Sequence, residues 1–170
     1  MKIYLLRHGE AVDGTEARCK DSDRPLAAKG IQRTRQLAHT LGHLEISFDL
    51  ILSSPLTRAR ETAEIIARSL KLEGHLIFSE HLTPSGDLQR LIDQILIVRP
   101  PAENVLLVGH EPQLGNLISH LCVGGPGLAV AMKKGALCRL DATPLSLAKC
   151  AVLDWLLPPR LLTFPPDKRK

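Results

Sequence analysis

Aromatic residues are scarce in this sequence. They make up 3% of its 170 residues, with one Trp, one Tyr and three Phe. Surfaces that bind single-stranded nucleic acid depend on aromatic side chains on which the bases stack, so we expect no nucleic acid partner. The core has to be built from aliphatic side chains, and hydrophobic residues account for 44% of the chain.

Long apolar runs are also missing. Each apolar stretch is far shorter than the roughly 20 residues that a helix needs to cross a bilayer. The N-terminus has one lysine followed by a predicted strand, without the apolar centre or the small-residue cleavage site of a signal peptide. We therefore expect a cytoplasmic protein with no membrane partner.

Metal-binding patterns are absent as well. The four cysteines are scattered, without a CxxC pair, at Cys19, Cys122, Cys138 and Cys150. In a cytoplasmic chain such cysteines are typically reduced and mostly buried as small hydrophobic residues. His39 and His43 have the i, i+4 spacing of a metal pair, but the sequence offers no third ligand. We predict no metal site.

The charge balance is basic without being concentrated in a block. Twenty-two Lys and Arg against 18 Asp and Glu give a net charge of +4, and the one basic cluster lies at 168–170. We expect residues from about 163 to 170 to form a flexible basic tail. The length predicts one domain over 1–170, and the basic balance suits an anionic substrate.

Apolar runs and helix-period segments alternate along the chain, which predicts an α/β layer fold. We predict strands at 2–6, 50–52, 76–78 and 105–108, with amphipathic helices between and after them. The last third predicts two edge strands, at 136–140 and 148–155.

Basic side chains follow three of these strands. The first strand runs into Arg7 and His8, the second is followed by Ser54 and Arg58, and the third ends at His110. Because the carboxyl ends of parallel strands lie at one edge of a sheet, we expect these side chains to face one crevice. The N-termini of two helices add positive potential there.

Two guanidiniums and two imidazoles around a crevice complement a phosphoryl group, whose transfer spreads charge over three equatorial oxygens. His8 is the better nucleophile candidate, beside Gly9, which allows a close backbone approach. His110 would donate to an equatorial oxygen. Arg7 and Arg58 should hold the pKa of His8 down, and a backbone carbonyl is needed to fix its tautomer.

Three segments carry a resemblance to a known family: LRHGEA at 6–11, SSPLTRARETA at 53–63 and VGHEP at 108–112. The sequence resembles the histidine phosphatase superfamily over nearly its whole length, and within it the short SixA-type phosphohistidine phosphatases. The resemblance implies a phosphoglycerate mutase-like fold, a three-layer α/β/α sandwich with a mostly parallel central sheet. It also implies transient phosphorylation of His8 in a pocket of Arg7, Arg58 and His110, without a cofactor.

That resemblance implies a hydrolase that cleaves the P–N bond of phosphohistidine in a partner protein, such as a signalling phosphotransfer domain or a phosphocarrier. No glutamate clearly matches the general acid of the mutases. Glu80 and Asp87 are the nearby candidates, and Asp87 equally suits the N-cap of the following helix. A phosphoramidate has little need of an acid, because a protonated imidazole is a good leaving group, whereas an alkoxide needs a proton.

Several assignments stay open. Arg24 could reach the pocket or cap the loop before the first helix, and Ser54 could donate to phosphate or cap the helix that follows it. The segment 21–23 has a DxD spacing but follows no strand, which predicts a loop. Two other functions remain: a phosphomonoesterase for small molecules, and a non-catalytic phosphate-binding module.

Overall fold

The strands and helices alternate as expected in a computed structural model, which describes residues 1–17 and 19–162. The predicted tail at 163–170 lies outside the described residues. The strands are β1 (Lys2–Arg7), β2 (Leu50–Ser53), β3 (Leu76–Phe78), β4 (Asn104–Gly109), β5 (Leu137–Ala142) and β6 (Ala151–Leu157). The α-helices of the described part are α1 (Gly14–Ala17), α2 (Ala28–His43), α3 (Thr57–Leu70), α4 (Leu88–Ile97), α5 (Gln113–Val123) and α6 (Pro159–Leu162).

The six strands form one sheet in the order β3-β2-β4-β1-β5-β6. β3, β2, β4 and β1 are mutually parallel, whereas β5 runs antiparallel to both of its neighbours, β1 and β6. The register pairs Arg7 with Gly109 and Ser53 with Val108, so that β1, β2 and β4 end side by side. The predicted α/β fold with a mostly parallel sheet is confirmed.

Helices cover both faces of this sheet, which gives the three predicted layers. On one face, α2 and α3 contribute Leu37, Leu41 and Ile66 to an aliphatic core. On the other, α4 and α5 contribute Ile95 and Leu117 to a second core. In the described part of the chain, no helix is both long and apolar enough to span a membrane.

The C-terminal strands differ from the prediction. β5 is not an edge strand: it lies between β1 and β6, and its apolar residues Leu137, Cys138 and Leu140 are buried. The edge strands are β3 and β6, since each pairs on one side alone. β6 begins at Ala151 rather than at residue 148, because the chain is still bent over 147–149, and it ends just before Pro158.

The four cysteines are unpaired, as predicted for a reduced chain, but fewer are buried than expected. Cys138 is fully buried, Cys122 and Cys150 are half-buried, and Cys19 is exposed. Burial raises the pKa of the Cys138 thiol to about 12, so this side chain behaves as a small neutral hydrophobic residue of the core.

The segment that follows β1 packs directly on the first turn of α2. The Ala27 N–H donates to the Glu10 carbonyl at 2.9 Å. Gly30 lies so close that a Cβ atom built on it would be 2.1 Å from the Glu10 carbonyl oxygen. Because that oxygen belongs to the backbone, it cannot move aside as a flexible side chain would. The absence of a side chain at Gly30 is therefore a condition for the path of the chain after β1.

We expect Gly30→Ala to lower the free energy of unfolding by about 2–3 kcal/mol, because the added methyl group overpacks a backbone contact. Gly74→Ala is the matched control, since a Cβ there has no neighbour within 4 Å. Urea unfolding of both variants provides the measurement. Equal stability of the two alanine variants would contradict the packing argument.

Candidate active site

The ends of β1, β2 and β4 are joined by backbone hydrogen bonds that continue beyond the strands. The His8 N–H donates to the Gly109 carbonyl at 3.1 Å, and the Ser54 N–H donates to the Val108 carbonyl at 2.9 Å. The residues that follow these strands are therefore fixed relative to one another by the sheet itself. The structure brings His8, Arg58 and His110 together at this edge, as the strand pattern predicted.

His8 is buried, with 4% of its surface exposed. Its Nδ1 atom lies 2.7 Å from the Gly9 carbonyl oxygen, which can only accept a hydrogen bond. The ring proton is therefore on Nδ1, and the lone pair is on Nε2. Nε2 accepts a hydrogen bond from Arg58 Nε at 3.3 Å. This is the tautomer that a nucleophilic Nε2 requires, held by the type of contact that the sequence argument called for.

Burial is the largest cause of the low proton affinity of His8. It lowers the pKa of His8 from 6.5 to about 3, while the charges of His110, Arg58 and Arg7 act in the same direction and the Gly9 carbonyl opposes them. The prediction that Arg7 and Arg58 hold the pKa down is therefore right in direction, but burial outweighs both. Burial likewise lowers the pKa of His110 to about 4. Both imidazoles are neutral at pH 7.

Arg58 lies in the first turn of α3 and is buried apart from 5% of its surface. Its Nη1 atom donates to the Asp21 backbone oxygen at 2.6 Å, and Nη2 donates to Asp21 Oδ2 at 3.1 Å. With the bond from Nε to His8, three of its five N–H groups have partners in the protein. Two N–H groups are left for an anion.

His110 faces His8, with their ring centroids 4.9 Å apart. Its Nε2 atom lies 2.9 Å from Ser54 Oγ, and its Nδ1 atom is buried without a hydrogen-bond partner in the protein. Ser54 Oγ also accepts from the Leu56 N–H at 3.3 Å, at the entrance to α3. Ser54 is not the N-cap of α3, which is Leu56; its hydroxyl contacts His110 and the turn before the helix, and a contact with phosphate stays a prediction. If its hydroxyl donates to Nε2, Nδ1–H is the free donor.

Arg7 is held by the loop before β5. Its Nη1 atom donates to the Met132 carbonyl at 2.7 Å, while its buried Nε has no partner in the protein. The Met132 N–H donates to Glu111 Oε1 at 3.2 Å. Glu111 fits because Gly115 has no side chain: a Cβ there would lie 2.9 Å from Glu111 Oε2. Sequence reasoning gave Glu111 no role of its own, although it follows His110 directly in the VGHEP motif.

Gly9 joins the first segment to α3. Its N–H donates to Thr62 Oγ1 at 3.1 Å, and that hydroxyl donates to the Arg58 carbonyl at 2.7 Å. One residue before Thr62, Glu61 accepts from the Leu26 N–H at 2.6 Å. Thr62 and Glu61 thus hold the loops on either side of His8. Both lie in the segment that carries the resemblance, but their partners are more than 30 residues away and no local pattern indicates them.

Among the described residues, neither candidate acid has a side-chain hydrogen bond or ion pair with His8, Arg7, Arg58 or His110. Asp87 is the N-cap of α4: its Oδ1 accepts from the Arg90 N–H at 3.0 Å, and this bond holds the pKa of Asp87 below its usual value. Glu80 is exposed and lines a cavity of about 470 Å³ together with Phe78 and Arg90, which contains none of the four pocket residues.

Arg24 and Asp21 form the outer part of the site. Arg24 Nη2 lies 2.7 Å from Asp21 Oδ1, and Nη1 donates to the Val12 carbonyl at 3.2 Å. Arg24 is thus linked to Arg58 through Asp21 rather than facing the pocket alone. Asp21 was predicted to lie in a loop, and it does lie in a short 3-10 turn. Its contact with Arg58 was missed, because nothing in the sequence joins positions 37 residues apart.

The electrostatics of this edge suit an oxyanion. Two buried donor-capable atoms at this edge, Arg7 Nε and His110 Nδ1, have no hydrogen-bond partner among the residues that the structure describes, and Arg58 has two further N–H groups. A buried polar atom without a partner is costly, and a phosphoryl group offers the acceptors that would satisfy all of them. Among the residues that the structure describes, no group of three or more His, Cys, Asp or Glu could hold a metal ion.

Known proteins that resemble this chain include histidine phosphatases. Residues 3–82 match the model of the histidine phosphatase superfamily (branch 1). The chain is 31% identical over 126 residues to phosphohistidine phosphatase SixA of Escherichia coli strain K12, covering 73% of this chain and 76% of that protein.

Solved structures share the fold. The protein histidine phosphatase SixA complexed with tungstate superimposes with a TM-score of 0.80 at 27% identity, covering 96% of this chain and 100% of that one. The alpha-ribazole phosphatase from Shigella flexneri gives a TM-score of 0.72 at 22% identity, covering 92% and 96%. At that identity the second likeness concerns the fold alone.

Glu111 is expected to position Arg7 through the Met132 peptide. Glu111→Ala leaves the Met132 N–H without its acceptor, at a cost of about 1–3 kcal/mol. We expect inorganic phosphate to inhibit the phosphatase activity of Glu111→Ala about tenfold less strongly than that of the wild-type protein, because Arg7 loses its fixed orientation. Glu111→Gln keeps an acceptor oxygen and should restore most of the affinity. Equal phosphate inhibition in Glu111→Ala and the wild-type protein would contradict this role.

The neutral, buried His8 makes stability depend on pH. The unfolded chain binds a proton at His8 near pH 6.5, while the folded protein binds it only near pH 3, so stability is present above pH 6.5 and is lost as the pH falls towards 3. Between about pH 7.5 and 4.5, the wild-type protein should lose about 2.5 kcal/mol more of its unfolding free energy than His8→Gln. Urea unfolding at both pH values measures the difference, with the exposed His43→Gln as control. An identical loss in His8→Gln would count against a buried neutral imidazole.

Proposed function

This chain belongs to the histidine phosphatase superfamily, in its SixA-type branch, and we propose that it hydrolyses the P–N bond of phosphohistidine in a partner protein through a phospho-His8 intermediate. Membership makes it a hydrolase of the phosphatase class. The observation that carries the proposal is the state of His8: neutral, with Nδ1–H held by the Gly9 carbonyl and Nε2 beside the Arg58 guanidinium.

In the first step, the lone pair of His8 Nε2 attacks phosphorus and forms a new P–N bond. The P–N bond to the substrate imidazole breaks, and its electron pair stays on that ring nitrogen. Because the other ring nitrogen of the substrate already carries a proton, the ring leaves as neutral imidazole. Arg58 Nε, which donates to His8 Nε2 in the structure, turns its N–H to a phosphoryl oxygen and frees the nucleophile. Arg7 Nε and His110 Nδ1 donate to the other equatorial oxygens, where negative charge is spread during transfer.

In the second step, water attacks the phosphorus of phospho-His8. The P–N bond breaks with its electron pair returning to Nε2, and the water proton passes to a phosphoryl oxygen of the departing phosphate. Because Nδ1 keeps its proton on the Gly9 carbonyl throughout, His8 leaves as neutral imidazole. No proton donor is needed for either P–N cleavage.

The placement of the carboxylates supports phosphohistidine over an ester. An alkoxide leaving group needs a proton donor at the leaving oxygen. Asp87 is occupied as a helix cap and Glu80 lies in a separate cavity, so neither is available beside His8. The relative named phosphohistidine phosphatase SixA, 31% identical, and the tungstate complex of a SixA structure support the same choice.

The proposal includes a partner and a location. The partner is a protein that carries phosphohistidine, either a signalling phosphotransfer domain or a phosphocarrier. The four unpaired cysteines, of which Cys19 is exposed, support a reducing compartment, and we place the protein in the cytoplasm.

The test is turnover of a phosphohistidine-bearing carrier protein beside a panel of sugar phosphates and para-nitrophenyl phosphate. We expect kcat/KM to be at least about 100-fold higher for phosphohistidine than for the sugar phosphates, because their alkoxide leaving groups lack a general acid. Para-nitrophenyl phosphate, whose leaving group needs no proton, serves as the acid-independent ester. His8→Ala should lose activity by about 1,000-fold or more, because the covalent route is removed. Enzyme that has taken up labelled phosphate from the substrate should carry it in a linkage that is stable to base and labile to acid.

His43→Gln, an exposed imidazole of α2, is the control for loss of a histidine elsewhere. Preference for a sugar phosphate would replace the proposal with a small-molecule phosphomonoesterase. Phosphate binding without turnover of any substrate would indicate a non-catalytic module. Full activity of His8→Ala would exclude the phospho-His8 route.

A further inference from the structure

A carboxylate lies where a phosphate pocket would be expected to be purely cationic. Asp21 Oδ2 is 3.1 Å from Arg58 Nη2, and Asp21 Oδ1 is 2.7 Å from Arg24 Nη2. Arg58 itself contacts the nucleophile, with Nε 3.3 Å from His8 Nε2. The negative charge is therefore separated from His8 by the width of one guanidinium group.

The Asp21 side chain is also open to an incoming substrate, with 67% of its surface exposed. Its charge reaches into the site, since it acts to raise the pKa of His110 against the effect of burial and of both arginines. Arg58 and Arg24 overcome the partial burial of Asp21 and hold the pKa of its carboxyl below the usual value. The group is thus a charged acceptor and not a proton donor.

A carboxylate beside Arg58 opposes phosphate binding, because it repels the anionic oxygens. Arg58 could be held without that charge, since its Nη1 already donates to the Asp21 backbone oxygen at 2.6 Å. The negative charge of Asp21 would favour binding of a substrate that has a cationic part. Resting on the proposed function, we propose that Asp21 determines specificity by accepting the ring N–H of the protonated phosphohistidine imidazole, which favours P–N over P–O substrates.

The chemistry balances without a further reactant. Phosphohistidine that is protonated on its second ring nitrogen carries a positive ring, and a nearby carboxylate favours that form. When the P–N bond breaks, the electron pair neutralises the ring, which leaves as histidine with its N–H still on Asp21. The leaving group of an ester develops negative charge on its oxygen, and the same carboxylate repels that charge. Asp21 therefore acts in opposite directions on the two substrate classes.

Asp21→Asn is the informative variant. The asparagine keeps one oxygen that can accept from Arg58, and the Asp21 backbone contact is unaffected. Its NH2 group replaces the oxygen that accepts from Arg24, so the variant removes the charge and that Arg24 contact. We expect kcat/KM for a histidine peptide phosphorylated on its ring to fall about tenfold, which is the usual worth of a hydrogen bond to a charged group. Selectivity, the ratio of kcat/KM for the phosphohistidine peptide to that for para-nitrophenyl phosphate, should fall about tenfold, because only the peptide offers a ring N–H to the carboxylate.

Asp23→Asn is the matched control. Asp23 lies in the same turn, is exposed, and accepts from Ser22 Oγ at 2.9 Å rather than from Arg58. Asp23→Asn should leave kcat/KM unchanged for both substrates. Inhibition by inorganic phosphate, measured for each variant, reports whether Arg58 still binds the phosphoryl group.

The outcomes separate this inference from the function on which it rests. An equal loss on both substrates in Asp21→Asn, with weaker phosphate inhibition, would show that Asp21 only orients Arg58 and would overturn the inference. Unchanged selectivity would overturn it as well. In both cases, a wild-type preference for phosphohistidine leaves the proposed function intact. A wild-type protein without that preference overturns the proposed function itself.

Discussion

The site depends on holding two guanidiniums and two imidazoles close together at a buried edge of the sheet. Cations placed near one another in a medium of low polarity repel strongly. The structure limits this repulsion by keeping both histidines neutral and by pairing each arginine with a backbone carbonyl, Met132 for Arg7 and Asp21 for Arg58. The loops that supply these carbonyls are consequently part of the site, although they follow no strand end.

α3 connects these loops to the nucleophile. Residues three and four apart lie on the same side of a helix, and α3 presents Arg58, Glu61 and Thr62 in that spacing. Arg58 contacts His8, Thr62 accepts from the Gly9 N–H, and Glu61 accepts from the Leu26 N–H. One turn of helix thereby fixes His8, Arg58 and the entrance to α2. All three of these side chains belong to the motif over 53–63.

The sequence predicts the features that follow from regular structure. Parallel strands place their carboxyl ends at one edge, so the approach of His8, Arg58 and His110 was predictable from three apolar runs and the residues after them. Contacts set by irregular segments were not. Asp21 lies 37 residues before Arg58 in a turn without periodicity, and the residues of β5 do not indicate that this strand has a neighbour on each side. The dominance of burial over charge at His8 depends on how distant segments pack.

The proposed reaction explains how such a site can work without a general acid. Its substrate and its covalent intermediate are the same kind of molecule, an imidazole with phosphate on one nitrogen and a proton on the other. In the intermediate, that proton is the Nδ1–H that donates to the Gly9 carbonyl. The His8 ring therefore already carries the proton that makes it a good leaving group in the second step. The substrate ring needs an equivalent acceptor, and the exposed carboxylate of Asp21, which pairs with Arg58, is the one that we propose. The leaving oxygen of a phosphate ester carries no proton of this kind, so the protein would have to donate one. Neither candidate acid, Glu80 or Asp87, contacts His8 in this site.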